Sequence, residues 1–284
     1  MRAYIALMKL RVVELLLVTT VPALFLASDG LPDLAITLAT LFGGTLAAGA
    51  ANAFNMVIES DIDQVMGRTS KRPLVRELMS EGAALTFAFA ITVISLLTFW
   101  IFTNPLATGL TVAAIAFYVF GYTVGLKRRT SQNIVWGGIA GCMPVLIGWA
   151  AVTGTLSLTA WLFFLLIFFW TPPHFWALAI KYRDDYERAG VPMLPVVAPM
   201  KSVVAQMWFH STAMVITSYA LLLSVGVEPW IYLLATAINA LFLFSLMKMR
   251  GDSSQIEAAA IKVFKGSITY LTLFSILLIP VALL

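Results

Sequence analysis

The chain has 284 residues, 61% hydrophobic and 11% charged, and its 18 Lys and Arg against 14 Asp and Glu give a net charge of +4. So apolar a composition excludes a soluble globular domain. The small basic excess is what orientation in a bilayer and anionic ligands require, and nucleic acid is not expected as a partner.

In chain order, hydropathy predicts nine membrane-spanning helices in a single domain, residues 1–284: about 10–28, 34–57, 83–103, 105–126, 134–152, 158–180, 203–225, 229–249 and 264–284. Most are near the ~20 residues that cross the hydrocarbon layer. The first has a basic start and ends on Ala27-Ser28, as a secretory signal would. Glu14 inside its apolar run and the cations of the next inside gap fit a retained helix better. Only Thr103-Asn104-Pro105 separates the third and fourth spans. The small residues from Gly43 to Ala51, and again at Gly137, Gly138, Ala140 and Gly141, predict close helix packing. Cys142, the one cysteine, lies inside a span and is expected to pack rather than react. Pro172-Pro173 predicts a kink or break in the sixth span, since neither residue donates a backbone hydrogen bond.

The cations fall in alternate gaps. They occupy the N-terminal tail (Arg2, Lys9, Arg11), the segment around Arg68, Lys71, Arg72 and Arg76, then Lys127-Arg128-Arg129, then Lys181, Arg183, Arg188 and Lys201, and finally Lys248 to Lys265. The gaps between contain none, which is the positive-inside pattern. It predicts a cytoplasmic N-terminus, and cytoplasmic cap loops at about 58–82 and 181–202. A bacterial plasma membrane is the expected location, because the polar tail is too short for an organelle-targeting peptide.

Two of these inside gaps carry clustered carboxylates. Asn55, Glu59 and Asp63 are spaced by four and share one helical stripe, which Asn52 can join; Asp61 points away. Amide and carboxylate oxygens at a helix mouth suit Mg2+, which takes one or two carboxylates and completes its shell with water and phosphate. The alternative is a solvated helix end whose acids pair with Arg68, Lys71 and Arg72. Four polar groups at the mouth of an apolar helix favour function. The second cluster, Asp184-Asp185-Tyr186-Glu187, follows the sixth span, where His174, Lys181 and Asp185 share a face if the helix continues. Asp184 and Arg188 stand at i,i+4 and can simply pair. Arg68, Lys71, Arg72, Lys127, Arg128 and Lys181 are placed to grip a metal-bound diphosphate through charge-assisted hydrogen bonds. The role of His174 stays open between ligand contact, proton transfer and structure.

Four segments carry a family resemblance: LRVVELLLVTTVP at 10–22, NAFNMVIESDIDQVMGRTSKRPL at 52–74, YTVGLKRRTSQNIVWGGIAGCMPVLIGW at 122–149 and PPHFWALAIKYRDDYERAGVPMLPVV at 172–197. On these the chain closely resembles the UbiA superfamily of intramembrane prenyltransferases, and within it the branch that farnesylates haem. The resemblance implies an all-α, UbiA-type bundle of about nine transmembrane helices around a central cavity. It implies transfer of a farnesyl group from farnesyl diphosphate to a vinyl group of haem B, with water added to give haem O and diphosphate. Haem is then a substrate and not a prosthetic group. Mg2+ held by Asn55, Glu59, Asp63 and Asp185, with Asp184 beside them, is implied as cofactor. Tyr122 is implied to face the allylic carbocation, with Tyr182 and Trp176 as further rings; an interfacial anchor is the alternative for Tyr122. The lipid bilayer and a downstream haem A synthase are the implied partners.

There are two departures. The family's second acidic motif, Asp-x3-Asp, reads Lys181-Tyr182-Arg183-Asp184-Asp185, and Leu10 stands where proline is common. Two competing readings are a prenyltransferase for another aromatic acceptor and an ion-coupled transporter. A transporter would place its acids near the bilayer midplane rather than at helix ends.

Overall fold

The computed structural model describes residues 2–251 and 253–284. Among them there is no β-strand, and nine helices are long and apolar enough to cross a membrane. They are α2 (Leu10–Ser28), α3 (Leu34–Ile58), α5 (Glu81–Phe102), α6 (Pro105–Ala116) continued by a π-helix (Phe117–Leu126), α7 (Asn133–Thr153), α8 (Leu158–Lys181), α11 (Met200–Val225), α12 (Pro229–Met247) and α13 (Ser253–Val281). The short helices α1 (Arg2–Met8), α4 (Ser60–Val65), α9 (Arg183–Arg188) and α10 (Leu194–Val197) belong to the end where the charged loops lie.

The sequence explains the turns between spans. Asn104 closes the α5–α6 hairpin: its side chain accepts from the Ala107 N–H at 2.9 Å, and Pro105 occupies the first helical turn. Its amide also donates to the Ala150 carbonyl at 2.6 Å, tying this hairpin to the end of α7. Asp33 and Ser157 cap α3 and α8 in the same way. Gly154 (φ 67°) and Gly226 (φ 77°) end α7 and α11 in left-handed geometry, where a Cβ is disfavoured.

Helices α7 and α8 form the centre, with 67% and 72% of their spanning windows buried, against 22% for α5. Lipid tails are as apolar as leucine, so association rests on close packing and interhelical hydrogen bonds. Gly43 admits the Phe99 ring, and its carbonyl accepts from Ser95 Oγ at 2.7 Å. Trp170 Nε1 donates to the Ser267 carbonyl at 2.8 Å, and Asn239 Nδ2 donates to Ser218 Oγ at 3.0 Å.

Two expectations need correction. Helix α8 runs unbroken from Leu158 to Lys181 with Pro172 and Pro173 inside it, so of the expected kink or break the break does not occur. Two adjacent prolines withhold only two donors, and the apolar surroundings keep the rest of the ladder closed. The last helix was placed at 264–284 but begins at Ser253 and ends at Val281. Its 29 residues reach about 43 Å, more than the hydrocarbon core, so its first turns continue outside it. Hydropathy sees only the part that lipid selects.

Candidate active site

The first acidic motif sits on a joint. Helix α3 stops at Glu59 (φ −104°, ψ 16°) and α4 restarts at Ser60, so Asn55, Glu59 and Asp63 keep their common side across the bend. All three are buried, at 2%, 1% and 2% exposure. Each is engaged by a different segment. Lys9 Nζ donates to Asn55 Oδ1 at 2.9 Å, Lys127 Nζ donates to Glu59 Oε2 at 2.5 Å, and Arg72 pairs with Asp63. The expected pairing with Arg68, Lys71 and Arg72 therefore holds only for Arg72. Asp61, as its position required, points outward, 63% exposed, and takes a bidentate pair from Arg128 at 2.7 and 2.8 Å.

Charge patterning assigns Lys9 only an orienting role, yet its ammonium completes this centre. It sits at the break between α1 and α2 with φ 51°, a left-handed value that a non-glycine residue adopts only under tertiary constraint. The constraint is visible: Met8 lies against Gly49 of α3, where any Cβ would meet its side chain at 2.7 Å, and Asn52 Nδ2 donates to the Met8 carbonyl at 3.1 Å. The only sequence signal was a lone cation at the mouth of the first span, which topology alone already explained.

The second acidic motif reaches the first through the loop between α4 and α5. Asp185 Oδ2 accepts from the Arg68 backbone N–H at 3.3 Å, and Arg68 Nη2 donates to the Tyr186 hydroxyl at 3.3 Å. The Arg68 guanidinium also lies 5.6 and 5.9 Å from the Tyr182 and Tyr186 ring centres. Arg188 pairs with Asp185 at i,i+3, not with Asp184, which is exposed and makes no ion pair. Lys71 is likewise exposed, and Lys181 lies over the Tyr182 ring at 5.4 Å.

Charge and burial act against one another here. Burial is the main cause that lowers the Lys127 ammonium below the ordinary lysine range, with Glu59 opposing it. Lys9 is lowered further, by burial first and then by Arg72. Arg128 holds the exposed Asp61 carboxyl below its usual range. Burial raises the Tyr186 hydroxyl. Lys9, Lys127 and the half-buried Arg72 meet only two buried carboxylates, Glu59 and Asp63, so the cluster leaves room for an anion.

Beneath it opens an apolar cavity of about 250 Å3 between α2, α3, the α6–π helix, α7 and α8. Asn52, Tyr118 and Tyr122 line its polar end. Tyr118 and Tyr122 are four residues apart on the π-helix and share its cavity side. With i→i−5 bonding, shown by Lys127 N–H to the Tyr122 carbonyl at 2.9 Å, their ring centres stand 5.6 Å apart on the cavity side. The same winding presents Thr123 Oγ1, which accepts from Asn55 Nδ2 at 3.2 Å. Lys127 Nζ lies 6.0 Å from the Tyr122 ring centre.

Two expected residues are elsewhere. His174 is buried between the Trp170 and Phe264 rings, at 4.2 and 4.7 Å, with Nδ1 bonded to Ser267 Oγ at 2.7 Å. It joins α8 to α13 and does not line the cavity. Trp176 is fully buried against His210. Neither presents its ring to the cavity, because the uninterrupted α8 turns both toward α11 and α13.

The model of the UbiA prenyltransferase family matches residues 16–268. The chain belongs to that family. It is 53% identical to a protoheme IX farnesyltransferase of Frankia alni, over 96% of this chain and 94% of that one. A protoheme IX farnesyltransferase of Nocardioides is 47% identical, over 99% and 90%. Among solved structures, a digeranylgeranylglyceryl phosphate synthase aligns over 99% of this chain and 98% of its own, with TM-score 0.79 and 17% identity. A UbiA homolog from Archaeoglobus fulgidus bound to DMAPP and Mg2+ aligns over 98% and 99%, with TM-score 0.72 and 16% identity. At such identities the likeness is one of fold.

The donor set suits a divalent cation that shares its shell with a substrate. Glu59 Oε1 is buried without a hydrogen-bond partner, an acceptor left for a ligand. Among the described residues no three His, Cys, Asp or Glu side chains gather into a metal cage. The five-residue ligand set expected from sequence (Asn55, Glu59, Asp63, Asp184, Asp185) is thus not one preformed shell. Asp184 points to solvent, and Asp185 approaches from the rim. This matches Mg2+ chemistry, in which phosphate and water supply much of the coordination.

Proposed function

We propose that the protein farnesylates haem B. The allylic C–O bond of farnesyl diphosphate breaks, with its electron pair leaving on diphosphate. The haem vinyl π pair forms the new C–C bond. Water then adds to the resulting cation and loses a proton, giving haem O. One observation carries this reading: a buried carboxylate pair, with one unpartnered oxygen and three cations from separate segments, stands at the mouth of an apolar cavity.

Asn55, Glu59 and Asp63, with Asp185 from the rim, are the residues that would hold Mg2+. Bound there, the ion supplies Lewis-acid neutralisation of the leaving diphosphate. Lys9, Arg72 and Lys127 are already gathered there, on Asn55, Asp63 and Glu59, so a diphosphate that takes over their hydrogen bonds meets donors held in place beforehand. Arg68, Lys71, Arg128 and Lys181 ring the pocket as outer cations. Tyr122 and Tyr118 offer ring faces to the positive charge left on the chain. The apolar cavity excludes water, which would otherwise capture that cation before haem does.

The positive-inside pattern supports a cytoplasmic N-terminus and cap loops in a bacterial plasma membrane, and a haem A synthase is the expected next handler of the product. The test is product analysis with the purified protein, farnesyl diphosphate, haem B and Mg2+. Haem O and diphosphate should form together and stop on chelation. Prenylation of a different aromatic acceptor with no haem O would overturn the acceptor assignment.

A further inference from the structure

The glycines of α3 and α7 fall into two kinds. A Cβ added at Gly43 would lie 2.9 Å from the Phe99 ring, one at Gly49 2.7 Å from Met8, and one at Gly138 2.9 Å from Thr171. These glycines serve packing, as small residues in membrane helices do. Gly44 and Gly141 differ. No heavy atom lies within 4 Å of a Cβ built on either, though both occupy helix interiors, where glycine is disfavoured. Both line the cavity. The packing role expected for the whole stretch is thus wrong for these two, whose missing side chains leave room for a guest.

The surrounding wall is hydrocarbon. Thr19, Thr20 and Thr171 turn their hydroxyls back onto carbonyls of their own helices at 2.8 to 2.9 Å, so these wall residues offer no free hydroxyl proton. Thr40, one turn beyond Gly44 on the same face, is buried with a hydroxyl that has no partner. The chain does not fill the space it faces. Depth can be read along the helices. Gly44 lies eight residues from Asn52, about 12 Å along the axis, and Gly141 one turn, about 6 Å, past Gly137, where the Tyr122 ring occupies the place of a Cβ. A farnesyl chain has twelve carbons end to end and spans roughly 13 Å at the reach per bond of an extended backbone; a geranyl chain, with eight, spans roughly 8 Å.

We infer that Gly44 and Gly141 set the length of isoprenoid chain the cavity admits, Gly44 at the depth of the third isoprene unit and Gly141 at the second. This rests on the reading that an allylic diphosphate is the donor. The test is competition among equal concentrations of dimethylallyl, geranyl and farnesyl diphosphate, with haem B and Mg2+, read as the ratio of prenylated haems. That ratio does not depend on the fraction of active protein. Gly44→Val should lower the farnesyl-to-geranyl ratio roughly tenfold or more, and Gly141→Val should lower both against dimethylallyl. Gly44→Ala should shift it less, in the same direction, and keeps the test available if the valine variant fails to fold. Gly43→Ala should lower thermal stability and leave the ratio alone. Ratios equal to the parent's in both Gly44 variants would overturn the inference. If the parent prenylates no haem from any donor, it is the proposed function that fails. Thermal-shift affinities for the three diphosphates then decide the glycines: an unchanged ranking in the variants overturns their role.

Discussion

The two acidic motifs have similar composition and opposite circumstances. The first, at the α3–α4 joint, is sealed from solvent, and each of its members is engaged by another segment of the chain. The second, on α9, lies at the rim, paired with its own neighbour Arg188 and linked to the first through the backbone and guanidinium of Arg68. A carboxylate pulled out of water needs cations and hydrogen bonds arranged beforehand, whereas one at the rim keeps its hydration. The difference teaches that the buried motif is held in place before any ligand arrives, while the rim motif, in the function proposed above, would complete a metal–diphosphate site when substrate binds.

Mutations can break or sharpen that contrast. The largest effect is expected at the sealed site: Asp63→Ala should lower turnover by ~10³-fold, the scale of losing a preorganised transition-state contact, with membrane insertion intact. Activity within tenfold of the parent would remove Asp63 from the pocket. Asp185→Asn should cost ~10–100-fold and raise the Mg2+ concentration needed for half activity, as for a residue supporting a metal site. An unchanged Mg2+ dependence would confine Asp185 to its pair with Arg188. Tyr122→Leu should slow single-turnover chemistry by ~3–30-fold through loss of cation–π attraction, while Tyr122→Phe keeps the ring and the rate. Equal slowing in both would assign the hydroxyl, not the face. Asp184→Ala should stay within about twofold, as exposed charges usually do. A hundredfold loss there would show that the rim motif closes further than its resting geometry suggests.

Much of the fold was legible because lipid imposes strong rules. Hydropathy alone found nine spans. The i,i+4 arithmetic placed Asn55, Glu59 and Asp63 together, since a bend of one residue at Glu59 does not disturb the shared side. What stayed hidden depends on contacts between distant segments. Lys9 reaches Asn55 only because α1 folds back on Gly49. The spacing of Tyr118 and Tyr122 puts them on one helix face, but nothing in it signals that the helix there is wound to i→i−5, which also presents Thr123 to Asn55. His174 packs against α13 because the double proline leaves α8 continuous, which local propensity argued against. Gly43 and Gly44 are adjacent letters, one under a phenylalanine ring and one over a void, and nothing in the sequence separates them.

The pocket draws Lys9 from before the first span, Asn55 from the second, Lys127 after the fourth and Asp185 after the sixth. Spans can settle in the bilayer one by one as the ribosome delivers them, but this constellation exists only once α9 has emerged. Until then the early carboxylates lack their rim, so nascent chains and fragments ending before Asp185 would be inserted yet inert.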